Sequence, residues 1–362
     1  MALSVRLADG ADLEHWDART VDPPAGNVLQ SRAWARHRER SGWTPHFVVV
    51  DDLPVLAFTR SWRLVGGSSG YISRGPIPAA DVESTATRLA GVVEWLGRQG
   101  ADVVAADPEI PAQTGFPSRL EAAGFRQIEE IQPTRHRLDL ELPASSDEAA
   151  VFGGFSSTTR NLIRQAERQN LVVREVGGGG SGPVAAPAEV DAALETLYGM
   201  LLETSRRRRF WLASRSTFRS WLTEAIADRL AFILIVEGED REPIGAASFH
   251  RHGDRLTYAL SGERTAARRD HPGATRLLLW AAIRIALREG RPLMDLSGVD
   301  VRGARRMPRK GEPEHGMLLF KESFGAKWVE MTGAHERVIR PGRYLAGRIA
   351  DRMARLAGQA SA

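Results

Sequence analysis

The sequence predicts an α/β protein of the α+β type, built from two tandem domains that repeat one order of elements. The chain has 362 residues, which is enough for two ordinary domains. Hydrophobic residues make up 43% and charged residues 26%, the balance of a globular protein with a sizeable core. The third observation is a succession of strands and helices that occurs twice.

In the first half, apolar runs at 47–50 and 55–62 flank a polar turn and predict a β-hairpin. A further strand is expected at 70–73, and a buried strand at 101–106. Between these two strands the sequence predicts a helix, because apolar residues recur with helical spacing. These residues are Leu89, Val92, Val93 and Leu96.

The second half repeats this order. Apolar runs at 231–236 and 244–250 predict a hairpin, and strands are expected at 256–260 and 293–296. The helix predicted between the last two strands carries an apolar face. That face consists of Leu278, Ala281, Ala282 and Ile285.

The loosely similar segments 120–125 and 321–326 extend the repeat to a short helix. Hairpin, strand, helix, strand, short helix and strand is the order of the acyltransferase fold called GNAT. The sequence therefore predicts two tandem GNAT-like domains, at 1–150 and 151–331. The C-terminal segment 332–362 is expected to pack back on the first domain.

Part of that C-terminal segment, 340–356, has the pattern of a basic amphipathic helix. Packing on the first domain is the favoured interpretation of this helix. The alternative is a peripheral contact with an anionic membrane surface.

The chain has no cysteine, which excludes disulfides, thiolate nucleophiles and cysteine zinc sites. The first twenty residues lack the apolar core of a signal peptide, and no apolar run is long enough to span a bilayer. We therefore expect a cytoplasmic protein, with the inner face of the membrane as the alternative location. No metal site is predicted.

The net charge is +4, and only a few of the 49 basic residues are lysine. Arginine suits phosphate because its planar fork donates two parallel hydrogen bonds. This favours a polyanionic partner, although GC-rich coding would also enrich arginine.

Short motifs are spread over nearly the whole chain. In order, they are Gln30-Ser31 with Ala33-Trp34, Tyr71-Ile72-Ser73-Arg74-Gly75-Pro76, Asp107-Pro108-Glu109, Gln132-Pro133-Thr134, Thr159-Arg160-Asn161-Leu162-Ile163-Arg164, Leu202-Glu203-Thr204, Asp295-Leu296-Ser297-Gly298 and Phe320-Lys321-Glu322-Ser323-Phe324-Gly325. Each motif alone is weak, but in their shared order they resemble the Fem family, the peptidyltransferases that build peptidoglycan interpeptide bridges.

The resemblance implies a fold of two GNAT-like domains, an aminoacyl-tRNA donor and a muropeptide acceptor, with no cofactor. Many family members carry a long helical arm in the second domain. Here Arg209 runs directly into Phe210-Trp211 and a further helix, so no arm is expected. Members without the arm act on a nucleotide-linked precursor, although a lipid-linked acceptor stays open.

The implied reaction is attack of an amine on an activated ester, which needs orientation, proton removal and oxyanion stabilisation. The resemblance places Lys321 where the family has a functional lysine, as the cation for the oxyanion. Asp107, just after a buried strand, is the second candidate and would orient the amine. The alternatives are a surface lysine packed on Phe324 and a turn-capping aspartate.

The resemblance also implies residues that bind substrate. Arg38 and Arg207 fall near positions where the family binds the acceptor's diphosphate, and further contacts are expected from Tyr71, Arg74, Tyr258 and Phe320. Two basic segments are candidates for salt-dependent contact with tRNA. Their residues are Arg160, Arg164 and Arg168 on one helix face, and Arg305 and Arg306 in the 302–310 loop. Solvated surface charge is the alternative for both segments.

Three other interpretations stay open. An acyl-CoA N-acyltransferase would cradle a pyrophosphate before the second long helix, but Pro272 removes one backbone donor there and the usual glycine spacing is not met. A second alternative keeps the chemistry and has a small peptide or antibiotic as the acceptor. A non-catalytic protein that keeps the duplicated fold is the third possibility.

Overall fold

The computed structural model describes residues 3–62, 65–132, 135–143, 147–178, 185–208, 210–299 and 306–360. Within these residues the chain forms two compact units. The first comprises Met1–Arg135 with Glu330–Ala362, and the second comprises His136–Val329. The domain limits expected at residues 150 and 331 remain predictions.

Strands and helices alternate along the chain. The strands are β1 Val5–Leu7, β2 Thr44–Val50, β3 Leu53–Ser61, β4 Ser68–Ile72, β5 Ala101–Ala106, β6 Arg126–Gln127, β7 Arg137–Glu141, β8 Val172–Val176, β9 Ala231–Glu237, β10 Pro243–His252, β11 Arg255–Glu263, β12 Leu293–Asp295, β13 Lys327–Val329 and β14 His335–Val338. The helices are α1 Gly10–Glu14, α2 Trp16–Thr20, α3 Arg32–Arg40, α4 Val82–Arg98, α5 Phe116–Ala122, α6 Glu148–Gly153, α7 Ser157–Arg168, α8 Pro187–Arg208, α9 Arg215–Ala227, α10 Ala274–Arg288, α11 His315–Glu322 and α12 Pro341–Ala360.

Each unit contains one seven-stranded sheet. The order is β1-β2-β3-β4-β5-β14-β6 in the first unit and β13-β7-β12-β11-β10-β9-β8 in the second. Each sheet has one parallel pair, β4 with β5 and β11 with β12, and its other neighbours are antiparallel. The helices α4 and α10 make the crossovers between the parallel strands, as a parallel connection requires.

The repeated order of elements predicted from the sequence is confirmed. In the first unit it runs through β2, β3, β4, α4, β5, α5 and β6, and in the second through β9, β10, β11, α10, β12, α11 and β13. The predicted α/β fold of two tandem GNAT-like halves is therefore correct. No helical arm separates α8 from α9 in the part of the chain that the structure describes.

One strand of each sheet comes from outside this repeat. In the first unit, β14 lies between β5 and β6, although it follows them by about 200 residues. In the second unit, β7 lies between β12 and β13, although it precedes both. The backbone N–H and C=O groups on the facing edges of the two strands therefore form hydrogen bonds with the inserted strand and not with each other.

The apolar faces predicted for the crossover helices are buried. In α4 the four predicted residues pack into the core of the first unit against strands such as β5. In α10 Leu278, Ala282 and Ile285 are buried in the core of the second unit, and Ala281 is partly buried. These helices lie on their sheets because the burial of several large side chains stabilises each contact by several kcal/mol, at about 1.5–3 kcal/mol per side chain.

Candidate functional site

Asp107 follows β5 at the carboxyl end of the parallel pair of the first unit. Its side chain is buried, and Oδ1 accepts hydrogen bonds from the Tyr71 hydroxyl at 3.0 Å and the Arg74 backbone N–H at 2.8 Å. Arg74 has a left-handed φ of 50° just after β4, and the hydrogen bond to Asp107 stabilises this uncommon conformation. The carboxylate therefore shapes the turn that carries Tyr71 and Arg74.

The second oxygen of Asp107 is in a different situation. Oδ2 is buried and has no hydrogen bond within the described residues, although Arg74 Nε lies 3.7 Å away. Burial raises the pKa of Asp107 to about 6, against the lowering effect of the Arg74 guanidinium. A buried acceptor with a raised pKa is suited to hold or receive a proton from a substrate amine.

Two residues missed by sequence reasoning support this cluster. Gln132 donates to the Tyr71 hydroxyl at 3.0 Å. Glu109 lies 3.8 Å from Arg74 Nε and accepts from the Asn27 amide at 2.9 Å. Both residues belong to the motifs that resemble the Fem family, so their position in those motifs was the signal that could have identified them.

Arg38 on α3 lies in an aromatic environment of the first unit. Its guanidinium carbon is 4.6 Å from the Trp43 ring centre, 5.6 Å from that of Trp34 and 5.9 Å from that of Phe58. No ion pair involves Arg38 among the described residues, and its Nε is buried without a hydrogen bond. Burial lowers the pKa of Arg38 from its usual value. A partly desolvated cation without a counter-charge favours binding of an anion.

Lys321 lies in the last turn of α11 in the second unit and is buried. Its Nζ donates to the backbone carbonyl of Ser297 at 3.2 Å and to that of Gly298. These carbonyls belong to the turn after β12, the counterpart of the segment after β5 where Asp107 lies. The interpretation of Lys321 as a surface lysine is therefore wrong.

Lys321 differs in burial from the other lysines of the chain. The sequence contains only Lys310, Lys321 and Lys327. The Lys327 side chain is 76% exposed and Lys310 is also exposed, so Lys321 is the buried one. A compact ammonium fits between two carbonyl oxygens in a way that a planar guanidinium does not.

Tyr258 and Phe320, expected to contact substrate, lie close to the Lys321 region. Tyr258 is buried, its hydroxyl donates to Ser261 Oγ, and burial raises its pKa to about 12. Its backbone carbonyl accepts from the Ser297 hydroxyl at 2.6 Å. Phe320 packs edge-on against Phe324. Their roles with substrate remain predictions.

Arg207 lies at the edge of a cavity of about 400 Å³ lined by Arg207, Thr265, Arg268 and Arg269. It donates to the Thr265 hydroxyl at 3.0 Å and to Glu263 at 3.2 Å. Glu263 also lies 3.2 Å from Arg268, so one carboxylate serves two of the three guanidinium groups. The remaining positive charge suits a phosphate. The sequence analysis predicted neither Arg268 nor Arg269 as a phosphate-binding residue.

The basic residues proposed for tRNA contact differ among themselves. Arg160 donates to the backbone carbonyls of Gly153, at 2.9 Å, and Phe155, so it secures the start of α7. Arg164 and Arg168 are exposed. Arg306 pairs with Glu312 at 2.6 Å. Arg305 lies outside the described residues.

Within the residues that the structure describes, His, Asp and Glu form no cluster suited to a metal ion. None of the helices described there has the length and apolar character needed to cross a membrane.

Comparison with known proteins begins with a family model. Residues 155–306 match the family model described as an acetyltransferase (GNAT) domain. The match lies within the second unit, whose fold is GNAT-like. A search of curated proteins found no match to this sequence.

Solved structures then place the whole chain. FemX is similar with a TM-score of 0.77 and 15% identity, over 96% of this chain and 99% of that one. L-PGS from Bacillus licheniformis has a TM-score of 0.56 and 11% identity, over 95% and 97% of the two chains. The C-terminal domain of a putative lysylphosphatidylglycerol synthetase from Agrobacterium fabrum has a TM-score of 0.54 and 14% identity, over 93% and 95%. The chain therefore has a Fem-like fold, as the resemblance implied.

Proposed function

We propose that this protein is an aminoacyltransferase, which moves an aminoacyl group from aminoacyl-tRNA to the amine of a peptidoglycan precursor. The observation that carries the proposal is the buried Lys321 at the turn after β12, in a chain whose fold matches that of FemX over nearly its whole length. The FemX and lysylphosphatidylglycerol synthetase neighbours support aminoacyl transfer within the broader acyltransferase class.

The reaction breaks the ester between the amino acid and the tRNA ribose and forms an amide. The attacking amine loses a proton, negative charge develops on the carbonyl oxygen, and the ribose hydroxyl leaves with a proton. Lys321 is assigned to the carbonyl oxygen, because a fixed cation there stabilises the transition state more than the substrate. Asp107 is assigned to the amine, with its buried Oδ2 as the acceptor.

The acceptor's diphosphate would need cations that are not already neutralised. Arg38 is the first candidate, because no carboxylate pairs with it among the described residues. The cavity at Arg207 offers three guanidinium groups against Glu263. Both features support a phosphate-bearing substrate, on the acceptor or on the RNA.

The second candidate function is transfer from acyl-coenzyme A, which the GNAT model match favours. Two features at the start of α10 disfavour it. The Ala274 N–H donates to the His271 carbonyl at 3.1 Å, so it is not available to a pyrophosphate. Gly273 lies so close to Leu162 that an added Cβ would be 2.1 Å from the Leu162 carbonyl oxygen. A carbonyl oxygen beside the helix start opposes an anion there.

The test is a transfer assay with a panel of charged tRNAs and two acceptors, a UDP-linked and a lipid-linked muropeptide. Mass spectrometry should detect an acceptor heavier by one aminoacyl residue, and the product should be lost in Lys321→Ala but not in Lys327→Ala. Calorimetry should show no binding of coenzyme A. Acetylation of an amine from acetyl-coenzyme A, with no product from any charged tRNA, would favour the second candidate.

A further inference from the structure

Every polar group of Ser297, which lies in the turn after β12, forms a hydrogen bond. Its backbone N–H donates to Asp295 Oδ1 at 2.7 Å, and its hydroxyl donates to the Tyr258 carbonyl at 2.6 Å. Its own carbonyl accepts from Lys321 Nζ at 3.2 Å and from the Leu138 N–H at 3.2 Å. One serine therefore connects β11, β7 and α11 to the end of β12.

The backbone at this serine is unusual. Ser297 has φ of 60°, in the left-handed region that a residue other than glycine occupies only when surrounding contacts hold it there. The bond from the Ser297 N–H to Asp295 is the shortest-range of these contacts, because the acceptor lies two residues back in the chain. Loss of that acceptor would leave a backbone donor without its partner and favour a different turn.

Asp295 is itself firmly placed. Its side chain is buried in the middle of the sheet, because β12 pairs with β11 on one side and β7 on the other. Its second oxygen, Oδ2, accepts from the Thr257 hydroxyl on β11 at 3.1 Å. The Thr257 oxygen in turn lies 2.8 Å from His252 Nε2.

The direction of the Lys321 ammonium depends on this turn. A lysine stem has four rotatable bonds, so the position of its nitrogen is set by what the nitrogen contacts. Among the atoms that this nitrogen contacts are the carbonyl oxygens of Ser297 and Gly298. A turn that left the left-handed conformation would rotate both carbonyls away from α11.

We propose that Asp295 is a positioning residue for Lys321, which acts through Ser297 by holding the two carbonyl oxygens that direct the ammonium. The catalytic consequence rests on the proposed function, because it requires Lys321 to contact the substrate carbonyl. The positioning itself does not rest on it. The experiment therefore has one readout on the lysine and another on transfer.

The first readout uses the low lysine content. Lysine labelled with ¹⁵N at the side-chain nitrogen should give three signals by NMR, one for each of Lys310, Lys321 and Lys327. Lys321→Arg assigns the buried one by its loss. We expect Asp295→Ala, which removes the acceptor of the Ser297 N–H, to shift the Lys321 signal and to leave the other two in place. Asp240→Ala, an exposed substitution on the β9–β10 turn, should move none.

The second readout separates rate from binding. Asp295→Ala should lower kcat of aminoacyl transfer by about tenfold and leave KM for both substrates within about twofold, because a misdirected cation acts mainly on the transition state. Thr257→Val, which removes the donor to Asp295 Oδ2, should give a smaller loss of the same kind. If Asp295→Ala does not fold, Asp295→Leu removes the same acceptor and keeps more of the side-chain volume.

An unshifted Lys321 signal in a folded Asp295→Ala or Asp295→Leu protein would overturn the positioning role. A loss confined to KM would overturn its catalytic consequence. A shifted Lys321 signal in a protein that transfers no aminoacyl group would retain the positioning role and remove the proposed function.

Discussion

The two sheets solve one local problem with different partners. At the carboxyl end of each parallel pair, an aspartate accepts the backbone N–H of a residue with left-handed φ. In the first unit Asp107 reaches Arg74, 33 positions earlier in the chain, and in the second Asp295 reaches Ser297, two positions later. The first link joins two strands, whereas the second shapes a single turn.

This difference determines which charged group lies at the carboxyl end of each parallel pair. The long link leaves a carboxylate oxygen, Asp107 Oδ2, buried without a hydrogen bond among the described residues. The short link turns two carbonyl oxygens toward Lys321 and so recruits a cation. The two copies of the fold thus differ at corresponding positions, because one buries a carboxylate oxygen and the other buries a lysine ammonium.

The largest effect is expected from the cation of the second unit. Lys321→Ala should lower kcat by at least about 100-fold, roughly 3 kcal/mol, because one stabilising contact to the oxyanion is lost. Acceptor affinity, measured by calorimetry, should change little. Lys327→Ala is the matched control, since that side chain is exposed in the same unit. Equal losses in rate and affinity would assign Lys321 to binding instead.

Next in size is the effect expected from Arg38, which has no ion pair among the described residues of the first unit. Arg38→Ala should weaken binding of a UDP-linked acceptor by about 2 kcal/mol, or roughly 30-fold in Kd, through loss of a charged contact to phosphate. Calorimetry with the intact precursor measures this change. Arg36→Ala, on the exposed side of the same helix, is the control. Unchanged affinity would remove Arg38 from the phosphate site.

A smaller loss, about tenfold near neutral pH, is expected for Asp107→Asn, below the roughly 100-fold or more of general acid–base catalysis, because asparagine can still hold the amine by a hydrogen bond. Because burial raises the pKa of Asp107 to about 6, wild-type kcat/KM should rise as the pH increases through about 6, where the carboxylate ionises. The variant should lack that step. An identical pH profile in both proteins would show that Asp107 only shapes the turn.

The same pKa makes a statement about stability. The folded protein holds the Asp107 proton more tightly than the unfolded chain, so this contribution to the free energy of unfolding is complete below about pH 4. It is lost as the pH rises through about 6. Chemical denaturation across this range should show a weaker pH dependence in Asp107→Asn than in the wild type, because Asp139, whose pKa burial also raises to about 6, still contributes.

The smallest effect concerns the exposed face of α7. Arg164→Gln should reduce tRNA affinity about twofold and lower the slope of log affinity against log salt by about one. Arg160→Gln is the contrast, because its guanidinium is already bonded to backbone carbonyls and should affect melting temperature more than RNA affinity. Filter binding at several salt concentrations distinguishes the two.

Much of the fold could be predicted because its signals are local. The hairpins, the two crossover helices and the strand at 101–106 follow from residue periodicity and turn residues within a short window. The pairing of β14 with β5 and of β7 with β12 could not be predicted this way. Those strands join partners far away in sequence, and nothing in their own residues specifies the partner.

The site shows the same limit at the level of residues. Asp107 could be selected because it follows a buried strand, and Lys321 because the surrounding motif resembles a known family. Asp295 and Ser297 were quoted in a motif without a role. A left-handed conformation is signalled in sequences by glycine or asparagine, and a serine at φ of 60° gives no such signal.

The inserted strand β14 also constrains the order of synthesis. Strands β5 and β6 emerge from the ribosome well before residue 335, and each then lacks its neighbour in the finished sheet. The second unit, by contrast, is continuous from His136 to Val329 and can close first. The first unit therefore cannot complete its sheet until the segment that forms β14 has been synthesised, and until then its open strand edges are exposed to aggregation and chaperones.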